Sequence, residues 1–147
     1  MPRIQSEEIG GAELQYLYYS GDGPAIVMLH ATGFQPWLWH PIARELAGDF
    51  RVIAPYFCDH RTFDPEEGGL SWAVLAEDVS TLIARLDIEE PLMVGHSMGA
   101  TVASIAEVLA GPIASRMILI EPIFLPEELY GMSITVEQNP LAAKAIR

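Results

Sequence analysis

The chain has 147 residues, half of them hydrophobic, which is enough for one globular domain with a core of useful size. A formal net charge of −12 and a pI of about 4.5 set it against phosphate backbones and anionic bilayers, so neither nucleic acid nor membrane is an expected partner. One cysteine, Cys58, excludes an intrachain disulfide, and no apolar leader or bilayer-length run is present; the expectation is a soluble, cytoplasmic protein.

In chain order, residues 4 to 9 and 12 to 19 are separated by Gly10-Gly11 and predict an antiparallel pair of strands. Residues 25 to 30 form an unbroken apolar run ending in His30, the pattern of a strand buried on both faces. Pro36 opens a stretch in which Trp39, Ile42, Ala43 and Leu46 recur at helical spacing, with Gly48 as a stop. The alternation then repeats: strand over 51–55, helix over 70–86, strand over 92–94, helix over 98–110, strand over 117–120. This order predicts an α/β fold, a mostly parallel sheet flanked by helices. Residues 1 to 125 read as one core, and 126–147 as the start of a cap or linker segment.

Gly95-His96-Ser97-Met98-Gly99 matches the pattern G-x-S-x-G and falls between a buried strand and an alanine-rich helix. A serine on so sharp a turn sits in a strained conformation, and side chains at Gly95 and Gly99 would collide with neighbouring backbone. Ser97 is the candidate nucleophile. Its follower Met98, at a helix N-terminus, offers a backbone N–H to a developing anion. His96, beside the nucleophile, is expected to pack rather than act as base.

A second segment, His30-Ala31-Thr32-Gly33-Phe34, directly follows the buried strand, and Thr32 is the candidate for the other oxyanion N–H. His30 is expected to hold that loop by hydrogen bonds. Trp37 has two readings, a wall of an acyl pocket or a packing residue at a helix start.

With these loops and the strand Leu119-Ile120-Glu121-Pro122-Ile123, the chain resembles the α/β-hydrolase superfamily, in particular members with a His-Ala-Thr-Gly-Phe oxyanion loop. The resemblance implies a cap, further sheet and a late histidine after the strand ending at Glu121. All four histidines, His30, His40, His60 and His96, stand at or before the turn at Ser97. The implied base therefore comes from outside the chain, from a C-terminal segment or a second polypeptide. Glu121 occupies a place where some relatives carry the triad acid; a supporting or capping role is the other reading.

The remaining signals are weaker. His60 departs from the loop pattern of relatives and reads as a solvated loop histidine, Cys58 as half-buried packing, and Asp64-Pro65-Glu66-Glu67 as a surface loop. No metal-ligand spacing and no cofactor signature occurs, so neither a metal nor a cofactor is expected. The expected activity is hydrolysis of a small-molecule ester or related acyl bond through an acyl-enzyme on Ser97. The rival chemistries on the same fold are a haloalkane dehalogenase and a carbon–carbon bond hydrolase; a serine on the turn argues against the dehalogenase, which carries aspartate there. A non-catalytic binding protein that kept the fold is the alternative.

Overall fold

The structure is a computed structural model and describes residues 1–61 and 71–124. Strands β1 (Arg3–Ile9) and β2 (Ala12–Tyr19) form the expected hairpin, with Ile9 opposite Ala12 and Arg3 opposite Tyr18. Gly10 and Gly11 between them take φ of 59° and 79°, the left-handed pair that a two-residue hairpin turn demands.

Strand and helix then alternate through β3 (Ala25–Leu29), a 3-10 turn (Pro36–Trp39), α1 (His40–Leu46), β4 (Arg51–Pro55), α2 (Trp72–Arg85), β5 (Leu92–His96), α3 (Met98–Ala110) and β6 (Arg116–Ile120). The six strands make one sheet in the order β1-β2-β4-β3-β5-β6. The hairpin joins antiparallel through β2 and β4; β4, β3, β5 and β6 run parallel. Strand β5 runs two residues beyond the expected end at Val94. Leu70, the acidic run 64–67 and the segment 126–147 lie outside the described residues.

The sheet is covered on both faces, and β3 shows why its sequence lacks alternation. Val27 and Leu29 face α2 and α3, in a core with Leu75, Val79, Leu82, Val102 and Ala106. Ile26 and Met28 face Trp39 and Ala43 on the opposite side. All five residues are buried, so no polar position is tolerated. Ile42 stays 51% exposed, because the short α1 contacts the sheet through Trp39 and Ala43, and Ile42 falls one step around the helix from that line.

Parallel strands send their C-terminal ends to one edge, where the segments after β3, β4 and β5 gather. At the side of the sheet, β6 has a neighbour only in β5 among the described residues. Met117, Ile118 and Ile120 are exposed there, as are Val108 and Leu109 on α3.

Candidate active site

Ser97 alone reverses the chain between β5 and α3, with φ 52° and ψ −117°. A non-glycine residue in such a conformation costs on the order of 1–3 kcal/mol and persists only where neighbours over-determine it. Three sets of contacts do so. The Ser97 N–H donates to the Ile120 carbonyl at 2.9 Å, tying the turn to the end of β6. The Ser97 carbonyl accepts from Ala100 and Thr101 N–H at 3.0 and 3.1 Å, starting α3. Both flanking glycines are required by space: a Cβ at Gly95 would lie 2.5 Å from Ala100 Cα, and one at Gly99 would lie 2.4 Å from the Leu29 carbonyl oxygen. Ser97 remains half-exposed.

The close approach at Gly99 also brings the two candidate oxyanion segments together, since the first turn of α3 lies directly on the end of β3. Past β3, Phe34 N–H donates to the Ala31 carbonyl at 3.1 Å, and Gly33 takes φ 77°, closing a tight turn with Thr32 exposed on it. The Thr32 hydroxyl donates to Met98 Sδ at 3.3 Å. Side chains of the two residues expected to offer their amides are thus in contact. The Met98 N–H precedes the first intrahelical acceptor, as helix geometry dictates.

His30 sits beneath this loop, fully buried, with Nδ1 donating to the Ala31 carbonyl at 3.0 Å and its ring 4.8 Å from that of Phe57. Burial pushes its pKa below the ordinary histidine value, against the smaller opposing effects of the Ala31 carbonyl and Asp59. The neutral ring leaves Nε2 as an acceptor facing Cys58 Sγ at 3.9 Å. Cys58 is half-buried, and burial with the Asp59 charge pushes its thiol up to about 12. A thiol so protonated is a poor nucleophile.

The tryptophans divide. Trp39 is buried in the core, whereas Trp37 is exposed, its Nε1 donating to the Tyr56 hydroxyl at 2.7 Å. His40 sits edge-on to Trp37 at 5.6 Å and pairs through Nδ1 with the Tyr19 hydroxyl at 2.9 Å. Phe34, Trp37 and Leu38 give the segment after Thr32 an exposed apolar surface.

Glu121 immediately follows β6 with φ 47° and an exposed side chain. His96 is half-buried, and among the described residues no histidine is hydrogen-bonded to Ser97. His60 is a correction. Its side chain is 1% exposed rather than solvated, because Nε2 meets Asp78 Oδ2 at 2.7 Å and draws the ring under the loop. Arg61 clasps the same carboxylate, Nη2 to Oδ1 at 2.6 Å, and reaches the Gly10 carbonyl. Burial alone would raise the Asp78 pKa, but the Arg61 and His60 hydrogen bonds and charges together hold it below the usual carboxylate value.

Asp78 and Thr101 escaped the sequence reading, though each carries a signal: a polar residue on the buried stripe of its helix. Among the described residues, no group of three or more His, Cys, Asp or Glu is arranged to hold a metal, and no helix is long and apolar enough to cross a membrane.

A mostly parallel sheet covered on both faces, with a strained serine between strand and helix at its C-terminal edge, defines a class of proteins. The chain belongs to the alpha/beta hydrolase family, whose model matches residues 26–146. It is 35% identical over 119 residues to an uncharacterized protein of Mycobacterium tuberculosis, covering 81% of this chain and 35% of that one. It is 29% identical over 123 residues to a pimeloyl-[acyl-carrier protein] methyl ester esterase of Aeromonas salmonicida, covering 82% and 40%. Among solved structures, an epoxide hydrolase from Vigna radiata superposes with a TM-score of 0.75 at 19% identity, covering 85% of this chain and 40% of that one. The chain therefore spans well under half the length of these relatives.

Proposed function

We propose that this chain carries the nucleophile and oxyanion site of a serine hydrolase acting on a small-molecule ester or related acyl bond. Ser97 attacks the carbonyl carbon, and the carbonyl oxygen becomes an anion that accepts hydrogen bonds from the Met98 and Thr32 N–H groups. The alcohol departs, leaving an acyl-enzyme on Ser97 that water then hydrolyses. Glu121 is the acid that orients and stabilises the base histidine. That histidine comes from polypeptide outside these residues: His30, His40 and His60 are each committed to another partner, and His96, next in sequence to Ser97, makes no hydrogen bond to it. Residues 1–125 form the core of this unit and 126–147 begin a cap or linker.

The observation that carries this reading is the left-handed Ser97 held half-exposed between β5 and α3, with Thr32 braced against Met98. The esterase relative supports the reaction class. Among the described residues no histidine is hydrogen-bonded to Ser97, and this is the observation favouring the other reading, a binding protein on the same fold. A fluorophosphonate probe separates them, with intact mass as readout and free imidazole supplied as the base. One adduct per chain, formed faster as imidazole rises and lost in Ser97→Ala, is the expected result. No adduct at high imidazole, or an adduct that survives Ser97→Ala, refutes a primed nucleophile.

A further inference from the structure

The Thr101 side chain makes an arrangement that the reaction above leaves unused. Thr101 lies one turn into α3 from Ser97 and is 6% exposed. Its hydroxyl donates to the Ile123 carbonyl at 2.8 Å and accepts from the Ile123 N–H at 2.9 Å. One side chain thereby satisfies both backbone groups of a single residue that is 22 positions away and outside any strand or helix.

A second tie lies three residues earlier, where the Ile120 carbonyl accepts from the Ser97 N–H at 2.9 Å. The chain from 120 to 123 is consequently pinned at both ends to the first turn of α3, once at residue 97 and once at residue 101. Glu121 is inside this closed ring, at φ 47°. A glutamate in the left-handed region does not hold that conformation unaided, and the two ties supply the restraint. Removing the outer one frees Glu121 to relax toward an ordinary conformation and to leave its place at the end of β6.

From this ring we infer that Thr101 is a positioning residue: it fixes the segment carrying Glu121 relative to Ser97, and so sets where the carboxylate meets the base. This rests on the reading of Ser97 as nucleophile and Glu121 as acid. Thr101 touches neither substrate nor reacting atoms and acts through Glu121.

The test uses the full chain with imidazole as the base. Thr101→Val keeps the shape of the side chain and deletes the hydroxyl; Thr101→Ser keeps the hydroxyl. Amide hydrogen exchange at Ile123 reads the clasp directly, and is expected to quicken at least about tenfold in Thr101→Val and to return in Thr101→Ser, with the middle of α3 unchanged. The imidazole-dependent rate of fluorophosphonate labelling is expected to fall about tenfold in Thr101→Val and in Glu121→Gln, with no further loss in the double variant and recovery in Thr101→Ser. Should Thr101→Val fail to fold, Thr101→Cys, a weak donor of similar size, takes its place.

Unchanged exchange at Ile123 overturns the clasp whatever the labelling does. Faster exchange with wild-type labelling, or losses that add in the double variant, overturns the positioning role. Absence of labelling in the wild-type chain refutes the nucleophile itself and this role with it, an outcome distinguishable because the exchange measurement needs no reactive serine.

Discussion

Replacing Gly99 by alanine tests the packing that unites the two halves of the candidate site. Near a helix start with free space around it, Gly→Ala would stabilise by up to about 1 kcal/mol. At Gly99 the new methyl group would lie 2.4 Å from the Leu29 carbonyl oxygen, 2.6 Å from its carbon and 2.7 Å from the His30 oxygen. An ordinary carbon–oxygen contact is roughly 3.3 Å or more, so α3 and β3 must part by nearly 1 Å. All three obstacles are backbone, and no rotamer change relieves them. Overpacking of this kind costs about 1–3 kcal/mol, and obstacles made wholly of backbone put it near the top of that range; less the helix gain of up to about 1 kcal/mol, the net loss is about 2 kcal/mol and the fall in Tm about 4–8 °C. Urea unfolding followed by tryptophan fluorescence, to which the buried Trp39 contributes, and by circular dichroism reads the change. Gly111→Ala is the contrast: nothing lies within 4 Å, but φ 85° with ψ −177° is a region essentially confined to glycine, so its cost of about 1–3 kcal/mol is backbone strain without a clash. A Gly99→Ala protein as stable as the parent would refute the close approach, and with it the contact between the Thr32 loop and Met98.

Ser97→Gly should raise stability by about 1 kcal/mol while abolishing labelling, because relief of the left-handed strain exceeds the added entropy of the unfolded chain; a less stable variant contradicts the strained turn. Asp78→Ala should cost about 3 kcal/mol in urea unfolding, since it strands the buried His60 and takes the partner from the half-buried Arg61; a loss under about 1 kcal/mol would show that the cluster is not stabilising. Acidification should weaken the fold in two stages. The His30 pKa is depressed in the folded state, so its contribution is complete above about pH 6.5 and fades as pH falls below that; Asp78, also depressed, contributes above about pH 4 and fails below it. His30→Gln should erase the first stage alone, and a urea midpoint that stays flat from pH 7 to 5 contradicts the buried neutral ring. Strand β6, paired only with β5 among the described residues and with Met117, Ile118 and Ile120 exposed, should make the 147-residue chain associate as concentration rises; sedimentation showing a monomer throughout the micromolar range contradicts this.

Most of the fold was legible because its signals are local. The continuous apolar run of β3 announces burial on two faces, and Gly10-Gly11 announces a hairpin whether or not the rest of the sheet is known. The Ser97 turn was legible for the same reason: the glycines that permit it stand two positions to either side of the serine. What escaped depends on partners far apart in sequence. His60 looks like any loop histidine until Asp78 is seen on the buried stripe of α2, 18 residues on, with Arg61 completing the cluster. Trp37 and Trp39 differ by two residues and by a full change of environment, because the 3-10 turn aims one at the core and leaves the other to Tyr56. Ile42 had the spacing of a core residue, but a seven-residue helix presents too narrow a face to bury it. The strand Arg116–Ile120 has an apolar sequence that reads as buried, and its exposure follows only from its place at the side of the sheet.

The distribution of strain adds a further step. Four non-glycine residues among those described take positive φ: Asp87, Glu90, Ser97 and Glu121. The first two lie in the connection from α2 to β5, where an irregular turn needs such residues and the chain enters the sheet. The other two end adjacent parallel strands, β5 and β6, and are joined by the hydrogen bond from Ser97 N–H to the Ile120 carbonyl. Strain placed at the paired C-terminal ends of neighbouring strands is expensive and is held there by contacts from α3, from Gly95 and Gly99, and from Thr101. A sequence selected only for a stable sheet would relax both positions. That it maintains a serine and a glutamate in strained backbone at one edge is the physical reason to regard that edge as chemistry and the His60–Arg61–Asp78 cluster, which is fully paired at its carboxylate, as support.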